Sequence, residues 1–203
     1  MKPPTRYAIA LFEGFQVLDA FGPLDVLFIL SKHTPLELSV LGPTTDPVSS
    51  RAKSHPGSIG QAVVPTHTYD TAPSDIEVLI VPGGAGTRDI EATQPVVDLI
   101  KRTFPELRYL LTVCTGSALA ARAGVLDEKN ATSNKLFFDR VRYKSDLETQ
   151  FLHSACAKLT LLSLGGEPRS KRQLDTSRAL GHGWKPLDLF WHISRHRHDI
   201  CLC

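Results

Sequence analysis

Four consecutive residues, Cys114-Thr115-Gly116-Ser117, carry the strongest chemical signal in the chain. They follow an apolar run, Leu110-Leu111-Thr112-Val113, and precede the small-residue stretch Ala118-Leu119-Ala120-Ala121. That order reads as buried strand, sharp turn and helix. A side chain at such a turn is held clear of the sheet, so a nucleophile there is exposed and aimed. The start of a helix adds partial positive charge and free backbone N–H groups, which favour a thiolate over a thiol. Gly116 lets the backbone turn tightly and come close to a ligand. A reactive cysteine is one reading. An inert core cysteine is the other, because free Cys is among the most buried residue types.

Two further stretches could work with Cys114. Asp19, in Val17-Leu18-Asp19-Ala20-Phe21-Gly22-Pro23, stands before or at the start of a helix, where it is either a cap or an acid facing a site. Gly83-Gly84 follows the apolar run Val78-Leu79-Ile80-Val81 and Pro82. No GxxxxGK[ST] or GxGxxG pattern is present, which argues against a nucleotide. The two glycines serve either as a plain tight turn or as backbone N–H donors to a small oxyanion.

The elements that must position these residues are legible in outline. Arg6–Phe12 is β-prone. Within Val17–Lys32 the apolar residues keep helical spacing, and Pro23 suits a first turn, so the regular helix is expected to start near Gly22 with Asp19 in the preceding loop. Leu36–Leu41 alternates as a strand does. Residues 42–60 are rich in Pro, Ser, Thr and Gly and read as loop, with short strands expected near Val48 and at Gln61–Val64. Asp75–Val81 and Leu107–Val113 read as strands, and Glu91–Phe104 as a helix. Ser117–Ala123 is a second helix, ended by Gly124. Asn134–Arg142 is a further candidate helix. Strands alternating with helices predict an α/β fold, a three-layer flavodoxin-like sandwich with a mostly parallel sheet and the cysteine at a strand-to-helix elbow. Ligands of such sheets bind beyond the carboxyl ends of the strands, where Gly83-Gly84 and Cys114 both fall.

The bulk properties narrow the function classes. With 203 residues, 42% hydrophobic and 22% charged, the composition is that of a soluble globular domain. A net charge of +2 is too small to indicate nucleic acid. No apolar run reaches the ~20 residues of a membrane span. Tyr7–Phe12 is too short for the core of a signal peptide, and Cys114, Cys156, Cys201 and Cys203 lack the spacing of a disulfide framework. A cytoplasmic location is expected.

The combination VLDAFGPLDVL, VPGGAG and VCTGSALAARAGVLDEKNATSNK resembles the DJ-1/PfpI (ThiJ/PfpI) superfamily, and within it the isonitrile hydratase-like branch, over about Tyr7–Val141. The resemblance implies Cys114 as nucleophile and Asp19 as the acid beside it. It implies that the backbone N–H groups of Gly84 and Thr115 face developing negative charge, with the Thr115 hydroxyl contributing. It further implies a small-molecule substrate, no cofactor, no metal and a homodimer. Two features depart from the family. Ala131-Thr132-Ser133-Asn134 places Asn134 where many relatives carry His, and the family's later segment, which opens a long helix, is absent after Tyr143.

The chain is therefore expected to divide into a DJ-1/PfpI-like domain at 5–143, incomplete at its C-terminal end, and an atypical, partly disordered tail at 144–203. An altered C-terminus, from a different splice or reading-frame choice, is the expected origin of that tail. It carries nine Lys or Arg against six Asp or Glu. Its His192, His196, His198, Cys201 and Cys203 match no standard metal spacing. Three function classes remain. The first is a cysteine-dependent hydro-lyase resembling isonitrile hydratase. The second is a non-catalytic or redox-sensing member of the superfamily. The third is a regulatory ligand-binding domain, which ranks last because no helix-turn-helix module is visible. A glutamine amidotransferase is set aside, since no histidine is followed two positions later by Glu.

Overall fold

The computed structural model describes residues 2–127 and, near the end of the chain, the two-residue strand Cys201–Leu202. The chain runs β1 (Arg6–Ala10), α1 (Val17–Ser31), β2 (Glu37–Gly42), β3 (Val48–Ser49), β4 (Ala62–Val63), β5 (His67–Thr68) and β6 (Val78–Val81). A short 3-10 turn (Ala85–Arg88), α2 (Gln94–Thr103), β7 (Tyr109–Thr112), α3 (Gly116–Arg122) and β8 (Cys201–Leu202) follow. The main sheet has the order β5-β2-β1-β6-β7-β8, and every pair in it is parallel. Strands β3 and β4 form a separate antiparallel pair.

The strand order places the site. From β1 the chain steps outward to β2 and β5, then returns to lay β6 on the other side of β1 and continues outward to β7. Right-handed crossovers in opposite directions put α1 on one face of the sheet and α2 on the other. They also leave a crevice between the carboxyl ends of β1 and β6, where the connections diverge. The strands beside it are the most apolar. Ala8, Ile9 and Ala10 of β1 and all four residues of β6 are buried, as a strand covered on both faces requires. Helix α2 packs through Val96, Val97, Leu99 and Ile100, while Lys101 and Arg102 stand at its C-terminal end, favourably for the helix dipole. Strand β7 alternates between half-buried and buried residues.

Three local features differ from the sequence expectation. Helix α1 starts at Val17, not near Gly22, and contains Pro23, so Asp19 lies in its first turn. The apolar pattern of Val17 and Ala20, which pack on the core, carries the helix back past the proline. Proline there has no N–H for the Asp19 carbonyl four residues earlier. The 3-10 turn at Ala85–Arg88 and strand β5 were not foreseen, because neither carries an apolar period. Helix α2 begins at Gln94 with Pro95 in its first turn, three residues later than the pattern suggested. Gly124 does end α3, with a φ of 72° and its N–H donated to the Ala121 carbonyl at 3.0 Å. The expectations for Asn134–Arg142 and for the tail after 143 lie outside the described residues, apart from β8.

Candidate functional site

Three loops meet at the crevice. The turn after β1 lies against the Pro82–Gly86 loop through two backbone bonds, Gln16 N–H to the Gly83 carbonyl at 2.7 Å and Gly86 N–H to the Gly14 carbonyl at 3.0 Å. This crossing leaves no room for side chains. A methyl group on Gly84 would collide with the Gly14 carbonyl, and one on Gly86 with the Glu13 carbonyl. Gly84 also has a φ of 134°, a backbone conformation that favours glycine.

Asp19 is set by this crossing. At the third position of α1 its carboxylate reaches across to the loop after β6, and its Oδ2 accepts the Gly83 N–H at 3.1 Å. Partial burial raises the carboxyl's affinity for a proton, and the Gly83 N–H opposes this more weakly, so its pKa lies above the ordinary carboxylate value. The third loop is the elbow. Strand β7 ends at Thr112 and α3 begins at Gly116; between them Cys114 has a φ of 54°. For a residue with a Cβ this conformation costs about 1–3 kcal/mol and is retained where the surroundings hold it. Here Val113 N–H donates to Val81, Gly116 N–H donates to Val113, and the Ser117 hydroxyl donates to the Cys114 carbonyl at 3.0 Å. Gly116 is required, since a methyl group there would collide with the Val81 carbonyl. Cys114 is a half-buried thiol.

Thr115 links the elbow to the glycine loop. Its Oγ1 accepts the Gly84 N–H at 3.0 Å. A methyl group on Gly83 would lie 2.8 Å from Asp19 Oδ2, 2.8 Å from Thr115 Oγ1 and 2.7 Å from Thr115 N. The bare Gly83 Cα therefore sits between the acid and the threonine. The structure brings Asp19, Gly83, Gly84 and Thr115 together, with Cys114 the neighbour of Thr115 in the chain. It changes the expected role of Gly84. The Gly84 N–H is given to the Thr115 hydroxyl rather than left for a bound charge, because Thr115 Oγ1 lies directly over the loop. Gly83 is the residue whose part was missed, since nothing local in a Gly-Gly pair says which amide meets the acid. Among the described residues no group of three or more His, Cys, Asp or Glu could hold a metal ion.

A model of the DJ-1/PfpI family matches residues 5–157. The chain belongs to the DJ-1/PfpI family. Isonitrile hydratase from Pseudomonas putida is 33% identical over 129 residues, which cover 64% of this chain and 52% of that enzyme. The chain thus spans about half the length of this relative. Deglycase PfpI from Pyrococcus furiosus is 28% identical over 78 residues, 38% of this chain and 47% of the deglycase. Among solved structures, a ThiJ/PfpI family protein from Pseudomonas syringae superposes with a TM-score of 0.60 at 26% identity, covering 73% of this chain and 57% of that one. The sheet order and the three-loop crevice are thus the DJ-1/PfpI fold as this chain builds it. No helix among the described residues is long and apolar enough to cross a membrane.

Proposed function

We propose that this DJ-1/PfpI chain is a cysteine-dependent hydro-lyase that converts an isonitrile and water to an N-substituted formamide. The observation that carries the reading is the Asp19 carboxyl, its proton affinity raised by partial burial and its Oδ2 bonded to the Gly83 N–H, in the same loop cluster as Thr115 and Cys114. The reaction runs in two halves. Cys114 Sγ attacks the terminal carbon of R–N≡C, and that carbon takes a proton from Asp19, leaving a thioimidate, R–N=CH–S–Cys. Water, deprotonated by the Asp19 carboxylate, then adds to the same carbon. The C–S bond breaks with its electrons returning to sulfur as the thiolate, Asp19 is left protonated as at the start, and the R–N=CH–OH product rearranges to the formamide, R–NH–CHO.

Thr115 serves the nitrogen end of the substrate. Its hydroxyl accepts from the Gly84 N–H and donates to the Gly84 carbonyl, a bond it would give up to the nitrogen as charge builds there. At 3.4 Å the bond donated to the Gly84 carbonyl is long and therefore weak. A donor of this kind is worth a few kcal/mol when it meets charge only in the transition state. The substrate is a small molecule, and the cytoplasm is the proposed location.

Formamide production from a simple aliphatic isonitrile tests the reading. The parent is expected to be active, Cys114→Ala inactive, and Asp19→Asn slower by about a hundredfold or more. A folded but silent parent defeats the hydratase reading and favours a non-catalytic or redox-sensing role for Cys114. That alternative keeps one specific support, a half-buried thiol held at an unfavourable φ.

A further inference from the structure

We propose that Ser117 is a positioning residue for the reaction proposed above. Its hydroxyl holds the peptide between Cys114 and Thr115 so that the Thr115 N–H is presented to negative charge building on the substrate nitrogen. The chemical half of this inference rests on the hydratase reading, and the aiming of the amide rests on the elbow alone. Ser117 is fully buried in the first turn of α3, so it acts through its neighbours. Its Oγ donates to the Cys114 carbonyl at 3.0 Å. The N–H that an α-helix would bring to this carbonyl comes from Ala118, four residues on. Here Ala118 N–H donates to the Thr115 carbonyl instead, at 3.0 Å, and the Ser117 hydroxyl takes its place on Cys114.

Holding this carbonyl also holds the amide on the other side of the peptide bond. The C=O and N–H of a trans peptide lie in one plane and point opposite ways. None of the described peptide bonds is cis. With the Cys114 carbonyl drawn toward Ser117, the Thr115 N–H is turned away from it. The Thr115 nitrogen and Oγ1 both lie on one side of Gly83, where a methyl group would be 2.7 Å from the first and 2.8 Å from the second. Asp19 Oδ2 lies 2.8 Å from the same point. The amide thus stands where the hydroxyl and the acid of the site converge.

The two amides of the site are used differently. Gly84 gives its N–H to the Thr115 hydroxyl. No acceptor among the described residues takes the Thr115 N–H. The Thr115 amide is therefore the donor open to a bound charge, and addition of water to the thioimidate places that charge on nitrogen. The φ of 54° at Cys114 is not one that a residue with a Cβ favours by itself. Without the Ser117 hydroxyl the peptide after Cys114 is able to turn, and it would carry the N–H away from the substrate.

Ser117→Ala tests this, since alanine suits a helix and only the hydroxyl is lost. With a simple aliphatic isonitrile its kcat is expected to fall about tenfold or more while KM stays within about twofold, because the amide meets charge only after binding. Alkylation of Cys114 by iodoacetamide is expected to stay within about twofold of the parent, the sulfur itself being untouched. Ser117→Thr, whose hydroxyl can reach a carbonyl three residues back, is expected to keep most of the parent kcat. Crystal structures of the parent and Ser117→Ala read the aim directly, and the peptide between Cys114 and Thr115 is expected to be turned in the variant. An unturned peptide overturns the proposal, as does a kcat unchanged in Ser117→Ala or lowered equally in Ser117→Thr. Equal falls in kcat and alkylation rate overturn it as well, since they mark a loosened elbow rather than a misaimed amide. A silent parent defeats the hydratase reading and the chemical half with it, while a turned peptide would still support the aiming of the amide and an unturned one overturn it.

Discussion

Gly83 holds the acid and the elbow in register. Its N–H is bonded to Asp19, and its Cα has backbone and side-chain atoms of Thr115 against it. Gly83→Ala would force its methyl group against the Thr115 amide, a backbone atom that cannot swing aside. The expected cost is about 1–3 kcal/mol of stability, the usual penalty for overpacking. Activity should fall further than stability, because the shift separates Asp19 from Thr115. Urea unfolding set beside formamide production measures both, and equal losses would mean that Gly83 serves only the fold. The importance of this glycine was not legible in the sequence. Cys114 and Asp19 stood out by residue type and local pattern. The choice between two adjacent glycines depends on contacts with residues 64 and 31 positions away.

At the scale of elements, the two ends of the sheet are built differently. The carboxyl ends carry the site. The opposite ends are tied by Glu77, whose Oε2 accepts the N–H groups of Thr5 at 2.7 Å and Arg6 at 3.1 Å, while Oε1 pairs with Arg108 at 2.7 Å. One carboxylate thus joins the lead-ins of β1, β6 and β7. The Thr5 N–H first, and then the Arg108 guanidinium, hold its pKa down to about 2. A folded-state value below the unfolded one means that ionised Glu77 stabilises the fold in full above the ordinary carboxylate range. That stability drains away as pH falls toward 2. Glu77→Gln should therefore be less stable than the parent at neutral pH, and the gap should narrow steadily on acidification below about pH 4.3. Thermal melts of both chains across that range check the sign, and a gap independent of pH would show that the Glu77 charge is not what matters. Of these elements, β6 and β7 were readable from their apolar runs. The start of α1 was not, because Pro23 is a start signal in isolation and packing of Val17 and Ala20 overrides it.

For the whole molecule, burial sets which parts hold longest. Strands β1 and β6 lie in the middle of the sheet and are buried on both faces. Helix α1 has one face on the core and the other exposed. Hydrogen exchange should be slowest at the amides of Ile9, Leu79 and Ile80 and faster along α1 in dilute protein. Uniform protection across the sheet and α1 would contradict this ranking.

The sequence by itself determined the α/β class, the strands and helices with strong apolar pattern, the DJ-1/PfpI resemblance and the residue types able to do chemistry. These are local properties, carried by hydrophobic period, glycine placement and side-chain identity within a dozen residues. Only the tertiary structure decided that Asp19 sits inside α1, that its partner is Gly83, and that Gly84 gives its N–H to Thr115. Those pairings exist because the order in which strands are added reverses at β1 and β6, which brings three distant loops to one end of a parallel sheet. Strand order is a long-range property, and no short stretch of residues encodes it.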